Sequence, residues 1–341
     1  MANDFLRDCL SRLARSEDLT RGEAALLLDG LLDAESTDAQ ISAILVALAA
    51  KGETVEELAG MAAGLRERAV RLKTGHRSFI DTAGTGSSAA KTFNISTAAA
   101  FVIAAAGLPV AKHGNRAASS RSGSADVLAA LGVNVSAAPE VSERNLNEIG
   151  ICFMFAPLYH GATARVANVR RELGIHTTFN LLGPLSNPAG APRQIIGVWH
   201  RSLAARLAQV LAALGTVRAW VVHGEDGLDE VTIDGKTLVA EADEGSVRTF
   251  EIAPEDFGVS RGKLDHLRGG DAEENAVIIR AVLSGTRQDE ARALVVLNAA
   301  AAFVVGGLCA DPRAAAGLAE KSIDSGAALN KLEQLVRATN V

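Results

Sequence analysis

Between Ile80 and Leu131 the chain carries two glycine- and hydroxyl-rich segments, one on each side of an apolar stretch. The first runs from Gly84-Thr85-Gly86 to Ser96-Thr97. The second holds Lys112-His113-Gly114-Asn115-Arg116 and then Ser119-Ser120-Arg121-Ser122-Gly123-Ser124. Each leads into a helical pattern, Ala98 to Ala106 after the first and a helix from about Ala125 after the second. A helix N-terminus has unpaired N–H donors and the positive end of the dipole, so both segments suit an anion. Lys112, Arg116 and Arg121 add positive charge to the second. Phosphate is the anion this chemistry fits best. One GTG turn is a weak signal, since any tight strand-to-helix turn uses it and Ser and Thr are ordinary caps. Two such segments in succession, one of them KHGNR, carry the phosphate reading.

Two further groups could do chemistry. Asp229-Glu230 follows a strand pattern and a glycine turn, Gly224 to Gly227. Adjacent acids on a solvated helix are common, but the flanks Gly227-Leu228 and Val231-Thr232 put this pair at a loop or strand edge. Carboxylates there suit Mg²⁺, a hard cation often shared with substrate phosphates. Lys112 is a mobile point charge suited to diphosphate, and Arg170 offers a planar fork that matches a carboxylate. By residue type alone Arg170 is equally a solvated helix arginine and Asn115 a turn residue. His113 and His160 are candidates to line a site or to sit satisfied in the core. His176, His200 and His223 read as structural. No Ser/His/Asp order with a nucleophile elbow and no Cys–His pairing is present, so a covalent nucleophile is not expected.

The elements that must hold these groups fall into two parts. Residues 1 to about 70 read as four helices. Phe5, Leu6, Cys9, Leu10 and Leu13 recur at helical spacing, and three capping boxes follow: Thr20-x-x-Glu23, Thr37-x-x-Gln40 and Thr54-x-x-Glu57. Nothing in this unit looks chemical, and an interaction surface is its best role. The basic run Arg66 to Arg77 marks a hinge. Beyond it short apolar strands alternate with helices: Phe79-Ile80, Val110-Ala111, Gly150 to Ala156, Gln194 to Trp199 and Arg218 to Val222. That is an α/β pattern with a mostly parallel sheet flanked by helices, and its polar segments all follow strands. Leu238 to Ile252, with Gly245 near its middle, predicts two antiparallel edge strands. Asn275 to Leu283, Ala291 to Val305 and Pro312 to Val336 predict three closing helices.

Length and composition bound the architecture. The 341 residues give room for about two domains, or one large one with an appendage, and 48% hydrophobic residues fill a substantial core. Only 4% are aromatic, so that core is built from small side chains at close range. A formal net charge of −6 argues against general nucleic-acid binding. The three cysteines, Cys9, Cys152 and Cys309, show neither a disulfide framework nor metal spacing, which fits a reducing, cytoplasmic compartment. The N-terminal residues do not form a signal peptide. The most apolar run, Ala98 to Leu108, is about half the length a bilayer needs, so no membrane partner is expected.

GTG…TFNIST, KHGNRAASSRSGSAD and the later GLDE together resemble the anthranilate phosphoribosyltransferases, and the similarity extends over nearly the whole chain. There is one departure. The family usually has GTGGDG, and this chain has Gly84-Thr85-Gly86-Ser87-Ser88-Ala89, without the later glycines and the aspartate. The resemblance implies transfer of a phosphoribosyl group from 5-phosphoribosyl diphosphate to the amine of anthranilate. It implies a homodimer through the helical domain, residues 1–72, which about 164–186 would complete. Residues 73–163 and 187–341 would form the α/β domain.

The resemblance also implies roles. The sugar diphosphate would meet Gly84, Ser87, Ser88 and Thr92, then Asn94, Ile95, Ser96 and Thr97. In the second segment it would meet Lys112, His113, Gly114, Asn115, Arg116 and Ala117, followed by Ala118, Ser119, Ser120 and Ser124. Anthranilate would lie against Gly84, Asn115 and His160, with its carboxylate on Arg170. Two Mg²⁺ ions are implied, one on Ser96 and one on Asp229 and Glu230, with Glu230 a candidate to bridge both. Three rival readings remain: a paralogue for another aromatic amine, a pyrimidine nucleoside phosphorylase of related architecture, and a non-catalytic nucleic-acid-binding relative. The acid pair, KHGNR and the net charge speak against the last two.

Overall fold

All three threonine boxes start helices. In the computed structural model, which describes residues 2–86, 92–117, 121–265 and 267–340, Thr20, Thr37 and Thr54 each accept from the backbone N–H three residues on, and the Glu or Gln there bonds back. The helices are α1 (Ala2–Leu13), α2 (Arg21–Leu32), α3 (Asp38–Lys51) and α4 (Val55–Arg68). Gly60 lets α4 press on α2: a Cβ there would stand 2.1 Å from the Arg21 carbonyl oxygen. Small residues at this crossing bring the two backbones close.

After the 66–77 run the chain alternates: β1 (Ile80–Gly84), α5 (Ile95–Ala105), β2 (Val110–Gly114), α6 (Ser124–Ala130), α7 (Pro139–Ile149) and β3 (Ile151–Phe155). Then come α8 (Ala156–Tyr159), α9 (Ala164–Leu173) and α10 (Thr178–Leu185), and next β4 (Arg193–Gly197), α11 (Ser202–Ala213) and β5 (Arg218–Gly224). A hairpin of β6 (Thr237–Asp243) and β7 (Ser246–Ile252) precedes α12 (Ala272–Leu283), α13 (Glu290–Gly306), α14 (Pro312–Asp324) and α15 (Ala327–Thr339). One expectation needs correction. Pro312 to Val336 is not one helix but two, because Gly326 takes a left-handed φ of +76° after Ser325 and turns the chain back.

The sheet order is β3-β2-β1-β4-β5-β6-β7. The first five strands are parallel, and the last two add antiparallel at one edge. One core packs α5 and α12 to α15 on one face of this sheet. A second core fills the helical bundle and continues through Leu203, Leu207 and Leu211 of α11 to Ile196, Val221 and Ala240 on the other face. Helices α9 and α10 leave the sheet region and pack on α2, α3 and α4. The bundle is therefore seated on the sheet by continuous apolar packing, with two late helices folded back into it.

Candidate active site

Strand order reverses between β1 and β4: β2 and β3 lie to one side, β5 to the other. In a parallel sheet such a switch opens a crevice at the carboxyl ends of the strands. Gly84 and Gly197 are the paired residues at those ends. Gly197 must be glycine for what lies above it, and Gly84 is packed closely beneath the same segment. A Cβ on Gly197 would stand 1.6 Å from the Asp229 carbonyl oxygen, and one on Gly84 would stand 3.3 Å from Asp229 Oδ2. The chain leaving β5 is thereby laid over the switch point, and the Asp229-Glu230 pair rests on the GTG turn. The cavity here has a volume of about 610 Å³ and runs from this turn to α9 and α10.

At the end of the cavity by the GTG turn, charge is concentrated and buried. Lys112 lies on β2 rather than in the loop after it; its Nζ donates to the Thr82 carbonyl and reaches Ser96 Oγ at 3.4 Å. The Ser96 N–H, in the first turn of α5, donates to Glu230 Oε1 at 3.2 Å. Burial raises the Glu230 carboxyl to about 8, with the Asp229 charge adding to the effect and Lys112 and Ser96 opposing it. Burial also lowers the Lys112 ammonium, against the pull of Asp81 and Glu230. Both shifts run toward the neutral form and share one cause, removal from water. An ammonium, a hydroxyl and a carboxylate side by side at this end suit a polyanion and a cation together.

Those same groups test the metal expectation. Ser96 Oγ and two carboxylates are hard oxygen donors, and Glu230 is raised first by burial and then by the Asp229 charge beside it. Among the described residues no group of three His, Cys, Asp or Glu could hold an ion alone. An incomplete oxygen set of this kind fits Mg²⁺, which keeps waters and takes remaining ligands from substrate phosphates.

The second segment is braced by one acid. Asp126, in α6, accepts from the N–H groups of Ala117 and Gly123, both at 3.0 Å, and pairs with the Arg116 guanidinium at 2.9 Å. Arg116 is thus committed to Asp126 as well as lining the cavity. Asn115 is exposed, and its carbonyl accepts from the Ala125 N–H and from Ser124 Oγ. Gly123 packs so closely on 115–117 that a Cβ would meet the Ala117 nitrogen at 2.4 Å. Thr92, Asn94, Ile95, Ser96, Thr97, Gly114, Ala117 and Ser124 all line the cavity. Ser87, Ser88, Ala118, Ser119 and Ser120 lie outside the described residues.

The opposite end is shaped by α8 to α10. Arg170 stacks over Phe179, 5.4 Å from the ring centroid. Its guanidinium is depressed by burial alone, and no carboxylate among the described residues answers it. An arginine stays charged, so this one waits for an anion. His113 and His160 meet edge-on at 5.1 Å between centroids. His113 Nδ1 faces the Gly183 carbonyl at 3.2 Å and His160 Nε2 the Ser186 carbonyl at 3.1 Å, so each of these nitrogens carries the proton. Burial holds His113 down to about 3 and His160 to about 4, so both are neutral at ordinary pH.

Some residues of this cavity escape sequence reasoning. His176, read as structural, lines the cavity and stacks on Trp199, centroids 4.3 Å apart. His200 and His223 bond to Ser202 Oγ and the Val198 carbonyl, away from it. Phe179, Gly183 and Pro184 of α10 form part of the wall, and Gly269, Gly270 and Asn275 line the cavity as well. The signal for the last group was present: Gly269-Gly270 followed by Asp271-x-x-Glu274, a glycine turn running into a capping box.

A helical bundle seated on a parallel sheet, with two anion segments and an acid pair at its switch point, defines a glycosyl-transferring enzyme of phosphorylated sugars. The chain matches the glycosyl transferase family helical bundle domain over 7–69 and the family's a/b domain over 76–329. It belongs to the anthranilate phosphoribosyltransferases within that family. It is 51% identical over 332 residues to the anthranilate phosphoribosyltransferase of Moorella thermoacetica, covering 97% of this chain and 98% of that one. The crystal structure of the Thermus thermophilus anthranilate phosphoribosyltransferase superposes with a TM-score of 0.92 at 40% identity, over 98% of this chain and 100% of that one. The Saccharomyces cerevisiae enzyme, solved in complex with PRPP and Mg, superposes with a TM-score of 0.90 at 27% identity, over 98% of each chain.

Proposed function

We propose that the chain transfers the phosphoribosyl group of 5-phosphoribosyl 1-diphosphate to the amine of anthranilate, giving N-(5-phosphoribosyl)anthranilate and diphosphate. One observation carries the assignment of ends. Lys112, Ser96 and Glu230 are in mutual reach at one end of a cavity whose other end holds an unanswered Arg170. The sugar diphosphate takes the first end and the aromatic carboxylate the second.

The residues then divide the work. Lys112 and the polar turns around Asn94 to Thr97 and Gly114 to Ala117 meet the diphosphate, where charge builds as the C1–O bond breaks. Ser96, Asp229 and Glu230 hold Mg²⁺, which supplies charge neutralisation to that leaving group. Two ions is the expected number. Arg170 takes the anthranilate carboxylate bidentately, with Gly84, Asn115 and His160 bordering the ring. The arylamine has a free lone pair at neutral pH, so the N–C1 bond forms without a strong base and the proton leaves the product afterwards. Holding amine and anomeric carbon in line supplies much of the remaining acceleration.

The helical domain of 1–72, completed by about 164–186, is proposed as the homodimer contact. Exposed Leu26 and Val46 on α2 and α3 support this. The remaining residues, 73–163 and 187–341, form the α/β domain. The three unpaired cysteines support a cytoplasmic location, and no described helix is long and apolar enough to cross a membrane. Loss of anthranilate fluorescence on adding 5-phosphoribosyl diphosphate, with and without Mg²⁺, tests the activity. Phosphorolysis of thymidine in place of that reaction would move the chain to the pyrimidine nucleoside phosphorylases.

A further inference from the structure

Asn275 is 2% exposed and sits in the first turn of α12, yet its side chain serves neither the core nor the helix cap, which Asp271 and Glu274 supply. It turns back toward the cavity. The Gly270 N–H donates to Asn275 Oδ1 at 2.8 Å. Asn275 Nδ2 in turn donates to Asn94 Oδ1 at 3.1 Å, and Asn94 Nδ2 donates to the Ser122 carbonyl at 3.3 Å. Asn94 occupies the cap position of α5, but its side chain makes no capping bond. Its amide is thus held from outside, by a residue 181 positions away.

The direction of this chain of bonds is not free. It begins at a backbone N–H, which can only donate, so Asn275 must present its oxygen to Gly270 and its NH₂ to Asn94. Asn94 must then present its oxygen to Asn275 and its own NH₂ toward the second anion segment. Each amide could be flipped alone; the backbone donor at one end and the Ser122 carbonyl at the other leave one polarity. The strap that carries the first donor is itself pressed on the first segment. Arg268 bridges to Thr92, and a Cβ on Gly269 would stand 2.2 Å from the Thr92 carbonyl oxygen.

We infer that Asn275 is a positioning residue for the sugar diphosphate, fixing the orientation in which Asn94 offers its amide and joining the two anion segments to the Gly269-Gly270 strap. The inference rests on the reading of this end of the cavity as the sugar diphosphate site. It assigns Asn275 no role toward anthranilate.

The test is a double-mutant cycle on Asn275→Ala and Asn94→Ala, with steady-state KM measured for each substrate. Loss of one buried directional hydrogen bond should raise the KM for 5-phosphoribosyl diphosphate by about tenfold, with the anthranilate KM within about twofold of wild type. In the Asn94→Ala background the same change should add less than about twofold, because its effect passes through Asn94. If the alanine variant fails to fold, Asn275→Ser, which keeps a short donor and acceptor, should show the same split in smaller degree. Full additivity with Asn94→Ala, or an equal rise in both KM values, overturns the inference and leaves the site assignment standing. A wild-type enzyme with no turnover of anthranilate by 5-phosphoribosyl diphosphate overturns that assignment instead.

Discussion

The Ser96 N–H donates to Glu230 Oε1 at 3.2 Å, joining the start of α5 to the chain that leaves β5 across 134 residues. This contact joins two sequence motifs that have no local reason to meet. It also places a carboxylate on the positive end of α5, which lowers the cost of burying it. That help is incomplete, since Glu230 is still raised to about 8 by burial and by Asp229.

Glu230→Gln should therefore separate stability from activity. The amide oxygen can still accept from Ser96, while the crowded buried charge is gone. In the ligand-free wild type the folded-state carboxyl titrates above its unfolded value of 4.5, so between that pH and about 8 the folded state holds the extra proton. Stability is then lost as pH rises through this window. The variant should melt at or above the wild-type temperature, with the gain largest above pH 8, and should lose about 100-fold or more in kcat. A variant that melts earlier and keeps its rate would show that the acid is structural.

The same shift gives a pH dependence for Mg²⁺. A cation binds the carboxylate, so below about 8 its binding must displace a proton from Glu230. Half-saturating Mg²⁺ should rise by up to about tenfold for each pH unit below that value, with proton release detectable by calorimetry in two buffers. The dependence should vanish in Glu230→Gln. A Mg²⁺ requirement flat across this range would remove Glu230 from the ligand set.

Arg170 stacks on Phe179 with no answering carboxylate among the described residues. Arg170→Ala should raise the anthranilate KM by about 10- to 100-fold, the range for one lost charge-assisted hydrogen bond, and leave the sugar diphosphate KM within about twofold. Arg170→Lys should recover only part of the loss, because a point charge cannot match a carboxylate with two parallel bonds. Initial rates at varied anthranilate measure this. An effect confined to the sugar diphosphate would assign Arg170 to the other end.

Much of this arrangement was legible locally. The three capping boxes, the apolar runs of β3 to β5 and the hairpin at Glu244-Gly245 follow from short-range chemistry, and each formed where its residues stand. KHGNR and Asp229-Glu230 could be singled out by type and by following strands. What sequence could not show is which strand ends become neighbours, because that depends on sheet order. His176 looked structural because its partner, Trp199, comes from the chain just after β4. Asn275 looked like the start of a helix because the atom it orients belongs to Asn94. Pro312 to Val336 carries one amphipathic pattern, and only the left-handed turn at Gly326 divides it.

Gly197 offers the sharpest test that the acid pair is set by sheet geometry. It ends β4 beside Gly84, and a Cβ there would fall 1.6 Å from the Asp229 oxygen, 2.5 Å from its carbonyl carbon and 3.3 Å from its Cα. All three are backbone atoms, so no side chain can rotate away, and the 229–230 segment must lift as a unit. Gly197→Ala should leave the sheet and both cores formed, with a melting temperature only a few degrees lower. It should raise half-saturating Mg²⁺ and lower kcat together, by about tenfold or more, because a displacement of about an ångström at a positioned group costs up to about 100-fold. Gly22→Ala is the control. Its Cβ meets nothing within 4 Å at an exposed position of α2, so it should keep full activity and gain about 0.5–1 kcal/mol in stability. If both alanine variants behave alike, Asp229 and Glu230 are held by something other than the bare ends of β1 and β4, and the account of the switch point as the seat of the metal clamp fails.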